Sequence, residues 1–185
     1  MTSRKVNLPL TEEVALSLRA GDLVELHGVV YTARDAAHKR LIAVLDAGEP
    51  APFPLAGQVI YYVGPAPAKE GQVIGPAGPT TSGRMDPYTL PLLQRGVRGF
   101  MGKGYRSAEI KQALVKYKAV YMAAVGGAAA LLARHITGSR TIAYPDLGSE
   151  AIRELTVADF PVIVVNDCHG GDAYATGRKR YQVFR

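Results

Sequence analysis

Between residues 23 and 31 polar and apolar side chains take turns, Leu23, Glu25 and His27 interleaving with Val24, Leu26 and Gly28. A period of two predicts a strand running to Tyr31. The period then lengthens: Ala36, Ala37, Leu41 and Val44 share one side of a helix over Thr32–Val44. The short apolar run Val59–Val63 (VIYYV) stops at Gly64-Pro65 and reads as a strand. From residue 72 onward strands and helices alternate. Asp86 caps a helix, with Pro87 at its first position and Gly96 just past its end. Gly99–Met101 is a brief strand, and Ser107 caps a helix over Ala108–Tyr117. Ala119–Val125 is a buried strand, Gly126-Gly127 opens a helix through about His135, and Pro161–Asn166 is the last strand. Residues 1–20 read as an arm ending in a short helix, with Thr11 as N-cap and Glu12 and Glu13 in the first turn. Alternation of this kind argues for an α/β fold with parallel pairings. A length of 185 residues suits one domain spanning 1–185.

Composition narrows the class. The chain is 48% hydrophobic and 21% charged, the balance of an ordinary globular protein. The longest apolar candidate for a membrane span, Ala119–Ala133, is interrupted by Gly126-Gly127. The N-terminal MTSRKVNLPLTEE has no apolar run of the kind a signal peptide needs, so a cytoplasmic protein with no membrane partner is expected. The net charge of +6 admits nucleic acid, an anionic small molecule or a merely basic surface. Nucleic acid is disfavoured, because Lys and Arg are scattered apart from Arg178-Lys179-Arg180 and there is no Trp. There is one cysteine, Cys168. It excludes an intrachain disulfide, and an iron–sulfur cluster held by this chain alone, which needs three or four thiolates.

Four segments carry candidate chemistry. Gly75–Asp86 (GPAGPTTSGRMD) packs three glycines, two threonines, a serine and an arginine into twelve residues. Such a loop presents backbone N–H groups and hydroxyls at close range, and Arg84 adds a planar fork suited to a carboxylate. The spacing fits neither a P-loop nor a dinucleotide fingerprint. In Tyr31–His38 (YTARDAAH), helical spacing puts Arg34 and His38 on one face; a surface Arg–Asp pair with a structural histidine is the plainer reading. Lys103, between two glycines after a short strand, faces the edge where α/β sheets bind ligands, or is simply a turn lysine. Asn166–Asp172 (NDCHGGD) holds a Cys, a His and two acids; Cys168 and His169 are neighbours that point apart in extended chain, which argues against a metal there.

Taken together, GDLVELHGVVYTARDAAHKRL, VIYYVGPAP, GPAGPTTSGRMDPY, GFMGKGYRS, KAVYMAAVGGAAALLA and DLGSEAI resemble, in order, the C-terminal part of class I fumarases and the β subunit of tartrate dehydratase. The blocks cover about residues 21–165. The resemblance implies a swivelling three-layer β/β/α domain. It implies a [4Fe–4S] cluster bound by the partner α subunit, where three cysteines leave one iron open, and not by this chain. It implies a C4 dicarboxylate substrate held between the two halves, with Arg34 and Arg84 gripping carboxylates, Lys103 adding a third positive contact and Thr80 handling the proton beside the carboxylate. It assigns no role to His38, and Asn166–Asp172 departs from the pattern.

On this basis the chain is expected to be the β subunit of a hydro-lyase that interconverts fumarate and L-malate, inactive alone and assembled as α2β2. An L(+)-tartrate dehydratase β subunit and a non-catalytic assembly module are the alternatives. The retained set Arg34, Thr80, Arg84 and Lys103 speaks against the last.

Overall fold

The computed structural model describes residues 3–183. Seven strands form one sheet: β1 (Arg4–Asn7), β2 (Leu23–Thr32), β3 (Val59–Tyr61), β4 (Gly99–Gly102), β5 (Val120–Ala123), β6 (Ile136–Ala143) and β7 (Ile152–Asn166). The helices are α1 (Glu12–Ser17), α2 (Asp35–Asp46), α3 (Asp86–Gln94), α4 (Ala108–Lys116), α5 (Ala129–Ala133) and α6 (Ala173–Tyr181). The fold is mixed α/β. Neighbours from β1 through β5 pair in parallel, as the alternation predicts.

The long β7 gives the sheet its shape. Residues 154–163 pair antiparallel with β2, and residues 163–166 pair with β5. The hydrogen-bonded path β2–β3–β4–β5–β7 therefore returns to β2 and closes. The other edge of β7 carries β6. Only Pro161–Asn166 of this strand is legible as a strand in the sequence. Its first half is interrupted by charges, and Pro161 is tolerated where β2 and β7 pair opposite Glu25.

Strand pleating sorts the apolar residues into two cores. Val24, Leu26, Val59, Tyr61, Met101, Met122, Phe160 and Val162 form one, in the space enclosed by the strands. Ile60, Tyr62, Phe100 and Tyr121 point the opposite way and meet Ala37 and Leu41 of α2, Leu92 of α3 and Leu114 of α4 in the other. Burying a side chain such as Leu41 or Phe100 contributes about 1.5–3 kcal/mol.

Several expectations are corrected by tertiary context. Residues 1–20 are not an arm over their described part: β1 is a sheet strand, and Leu10, Ala15 and Leu18 are buried. Thr11 does cap α1, its hydroxyl accepting from Val14 N at 3.1 Å. Asp86 begins α3 but is not its cap; Met85 holds that position, and a 3-10 turn, Ser82–Met85, precedes it. Ser107 caps α4 as expected, accepting from Ile110 N at 3.2 Å. The helix after Gly126-Gly127 shrinks to five residues, and β6 and α6 have no counterpart in the sequence reading.

Candidate functional site

Three of the four residues singled out in the sequence sit beside the C-terminal ends of adjacent parallel strands. Arg34 follows β2 by two residues, Thr80 is anchored beside the end of β3, and Lys103 follows β4. Strand ends of this kind are where α/β sheets bind ligands, because the crossover loops diverge there.

Thr80 belongs to a loop that leaves β3 and folds back on it. Val63 bridges Pro79, and Ala66 N donates to Pro76 O at 3.0 Å. Gly75 is pressed so closely on Ala66 O that a side chain there has no room. Thr80 is then fixed twice to one carbonyl: its N–H and its hydroxyl donate to Tyr62 O at 2.8 and 3.0 Å. With its proton engaged, Thr80 Oγ1 keeps its lone pairs for another donor. Lys103 is joined to the same loop by backbone. Lys103 N donates to Thr80 O at 3.0 Å, and Ser82 N donates to Lys103 O at 2.8 Å. The Lys103 side chain is exposed and runs past Gly126, where an added Cβ would meet its Cδ at 3.7 Å.

Arg34 is the N-cap position of α2 and lies on Gly64, where a Cβ would come within 2.7 Å of Arg34 Nη1. Its Nη2 is 3.4 Å from Glu150 Oε1, and its Nε is buried without a hydrogen-bond partner among the described residues. A buried donor left unpaired costs about 1–3 kcal/mol. Arg84, half exposed in the 3-10 turn, donates to Asp35 Oδ2 at 3.1 Å. Since Asp35 follows Arg34 in the chain, the two guanidinium groups are tied to the same helix start. The structure thus brings Arg34, Thr80, Arg84 and Lys103 to one edge, although they come from three separate segments.

Beneath these loops lies a polar network that sequence reasoning missed. Arg106 is buried; its Nε donates to Asp86 Oδ1 at 2.7 Å and its Nη2 donates to Thr89 Oγ1 at 2.6 Å. Asp86 Oδ2 also accepts from Ser107 N at 2.8 Å. Tyr121 OH donates to Gly104 O at 2.9 Å and receives the Ser82 hydroxyl proton at 2.9 Å. Arg106 stands at the end of GKGYR, where nothing local marks it; its burial among Tyr62, Phe100 and Tyr121 reveals a brace for both loops.

His38 is fully buried between Tyr62 and Tyr88 and donates from Nδ1 to Arg34 O at 2.9 Å. Loss of hydration pushes its pKa down to about 4, so it is neutral at pH 7. It supports the α2 start and carries no charge to a ligand.

The Asn166–Asp172 segment is structural. Asp167 accepts from Ala20 N, His169 N and Gly171 N at 2.8, 2.9 and 2.8 Å. Cys168 Sγ donates to Ala15 O at 3.4 Å, and Asp172 caps α6. Together these contacts clamp α1 to the end of β7. A lone buried thiol does not fit an iron–sulfur cluster. A separate trio, Glu25, His27 and Asp159, brings metal-binding atoms within 4.8 Å of one another at the far end of β2. Lys5 Nζ already meets Asp159 there at 3.1 Å, which leaves little reason for a cation.

Two arginines, a lysine and a threonine are thus gathered at the C-terminal edge of a mixed α/β sheet. The chain matches the family described as fumarase C-terminus over residues 1–177, and it belongs to that family. It is 40% identical over 158 residues to "Fumarate hydratase 2" of Leishmania major, covering 84% of this chain and 28% of that protein. It is 39% identical over 153 residues to "Fumarate hydratase class I, aerobic" of Escherichia coli K12, covering 82% and 28%. It is 38% identical over 177 residues to a Methanocaldococcus jannaschii protein provisionally named L(+)-tartrate dehydratase subunit beta, covering 92% and 91%. The chain therefore spans about 28% of the length of the fumarate hydratases it matches, and nearly all of the tartrate dehydratase subunit. No helix among the described residues is long and apolar enough to cross a membrane.

Proposed function

We propose that this chain is the carboxylate-binding half, the β subunit, of a hydro-lyase that adds water reversibly to fumarate to give L-malate. The observation that carries the reading is the gathering of Arg34, Thr80, Arg84 and Lys103 at one sheet edge, on relatives named fumarate hydratase. On this reading the [4Fe–4S] cluster belongs to an α subunit, since Cys168 is the one cysteine of this chain. The partner closes over the site, the β half swivels as a unit of three β/β/α layers, and the assembly is α2β2.

The chemistry follows from the side chains present. A C4 dicarboxylate needs two cationic grips held apart, and Arg34 and Arg84 sit on different loops. Taking a proton from the carbon beside a carboxylate builds negative charge on that carboxylate. Fixed guanidinium groups and the Lys103 ammonium stabilise it as it develops. Thr80 presents its hydroxyl oxygen to that proton. A threonine is too weak a base unaided, and its own proton is engaged with a main-chain carbonyl. Asp86 is occupied by Arg106 and Ser107, so the group that relieves Thr80 of the proton comes from the α subunit.

L(+)-tartrate is the second reading. It is favoured by the Methanocaldococcus relative, which has nearly the same extent as this chain. Anaerobic co-expression with a cluster-bearing α subunit, with malate and tartrate dehydration assayed in parallel, decides. Malate turnover only in the paired sample, lost in air, supports the proposal, and Thr80→Ala is then expected to abolish it. Tartrate turnover alone transfers the assignment to the second reading. Turnover by this chain unassisted overturns the shared site, and inactivity on both favours an assembly role.

A further inference from the structure

We propose that Glu150 is a positioning residue for Arg34, holding that guanidinium where it meets a substrate carboxylate; the proposal rests on the reading of Arg34 as a carboxylate grip. Glu150 ends the second of two short 3-10 turns that meet at a kink at Gly148 within Pro145–Glu150. Its two oxygens do different things. Oε1 lies 3.4 Å from Arg34 Nη2, and Oε2 accepts from Ala36 N at 3.0 Å. One carboxylate therefore fixes both the side chain at the N-cap of α2 and an N–H of its first turn. Arg34 itself makes no side-chain cap for that helix, so the acceptor arrives from 114 residues away.

Both partners are about three-quarters covered, at 24% and 25% exposure, so this pair is less screened than a surface one. Gly64 confines the guanidinium from another side. The arginine is thus wedged rather than free to sweep, and its Nε is covered, with no hydrogen-bond partner among the described residues.

Glu150 is itself fixed at both ends of its segment. Upstream, Arg40 of α2 makes two hydrogen bonds of 2.8 Å to Asp146. Downstream, the buried Thr32 hydroxyl donates to Ala151 O at 3.2 Å and accepts from Arg153 N at 2.9 Å. A carboxylate on so constrained a backbone spares the arginine much of the rotamer entropy it otherwise loses when a ligand binds.

Helix capping and arginine positioning separate by substitution. In Glu150→Gln the amide oxygen still accepts from Ala36 N, but the amide nitrogen cannot accept from Arg34. In the reconstituted αβ enzyme this variant is expected to lose kcat/KM by roughly 10–100-fold, chiefly through KM. Its thermal midpoint should stay near wild type. The double variant Arg34→Ala with Glu150→Gln should be no worse than Arg34→Ala alone, because Glu150 acts through Arg34. Additive losses, wild-type kinetics in Glu150→Gln, or its unfolding would each overturn the proposal. A second readout does not depend on turnover: the Arg34 Nε–H signal in nuclear magnetic resonance of the full chain. It is expected to be ordered in wild type and mobile in Glu150→Gln; equal order in both rejects the positioning role. An enzyme inactive on every dicarboxylate, with that signal behaving as expected, would reject the functional reading and leave Glu150 as the holder of Arg34.

Discussion

At the scale of single residues, charge and shape have to be considered separately. Arg84 keeps a planar fork half exposed, lightly engaged by Asp35. On the proposed reading, a carboxylate ligand competes with Asp35 for it. Arg84→Lys preserves the charge and loses the two-pronged geometry. It is expected to lower kcat/KM of the assembled enzyme about 100-fold, and steady-state kinetics with the preferred diacid check this. His38 gives a stability prediction with a definite sign. Its pKa falls from 6.5 to about 4 on folding because burial removes the water that would solvate the charged ring. Between those values the unfolded chain binds more protons than the folded one. The His38 contribution is therefore complete above pH 6.5 and is lost as the pH falls towards 4, by about 3 kcal/mol. Urea unfolding of wild type and His38→Asn at pH 7 and pH 4.5 should show the steeper decline in wild type.

At the scale of elements, the loops after β3 and β4 act as one unit because they share a bridge and a brace. Thr81 pairs with Lys103 above, and Arg106 joins the two through Asp86 and Thr89 below. Asp86→Asn leaves the fully covered Arg106 side chain with no anionic partner. The expected cost is about 3–5 kcal/mol, the penalty for an unpaired buried charge, with a parallel fall in activity as Thr80 and Lys103 lose register. The urea midpoint tests the first effect and kcat the second. A surface pair such as Arg40–Asp146, at 41% and 61% exposure, should cost far less when broken.

At the scale of the whole molecule, β7 decides how the chain is put together. It closes the strand circuit between β2 and β5, and with the clamp at Asp167 it holds α1 against the same end. The C-terminal edge is then presented as one face. Among the large apolar side chains exposed after the strand ends are Tyr105 after β4 and Val125 after β5, at 69% and 53%. On the proposed reading, the α subunit covers them. Tyr105→Glu is expected to weaken association with the α subunit at least tenfold, since both an aromatic contact and its desolvation are lost. The thermal midpoint of the β chain should not move. Sedimentation of mixed subunits measures the first expectation, and calorimetry of the single chain the second.

Some of this was written in the sequence. A period-two run placed β2, and short apolar runs placed β3 and β5, whose residues are buried on both faces of the sheet. Thr11 and Ser107 announced helix starts because a cap bonds three residues on. Gly75–Asp86 and GKGYR stood out for glycines set beside hydroxyls and cations, and YTARDAAH for an arginine and a histidine at helical spacing. Tertiary structure decided the rest. The first half of β7 and all of β6 lacked a clean pattern, because their pairing is set by partners more than a hundred residues away or by each other rather than by a buried stripe. Asp86 looked like a cap until Arg106 claimed it, and nothing local marked Glu150 as the acid that the fold lays beside Arg34. Local sequence determines where a chain bends and which face is apolar, since those depend on neighbours within a turn or two. Which charge meets which depends on closure of the whole sheet, and no local pattern records it.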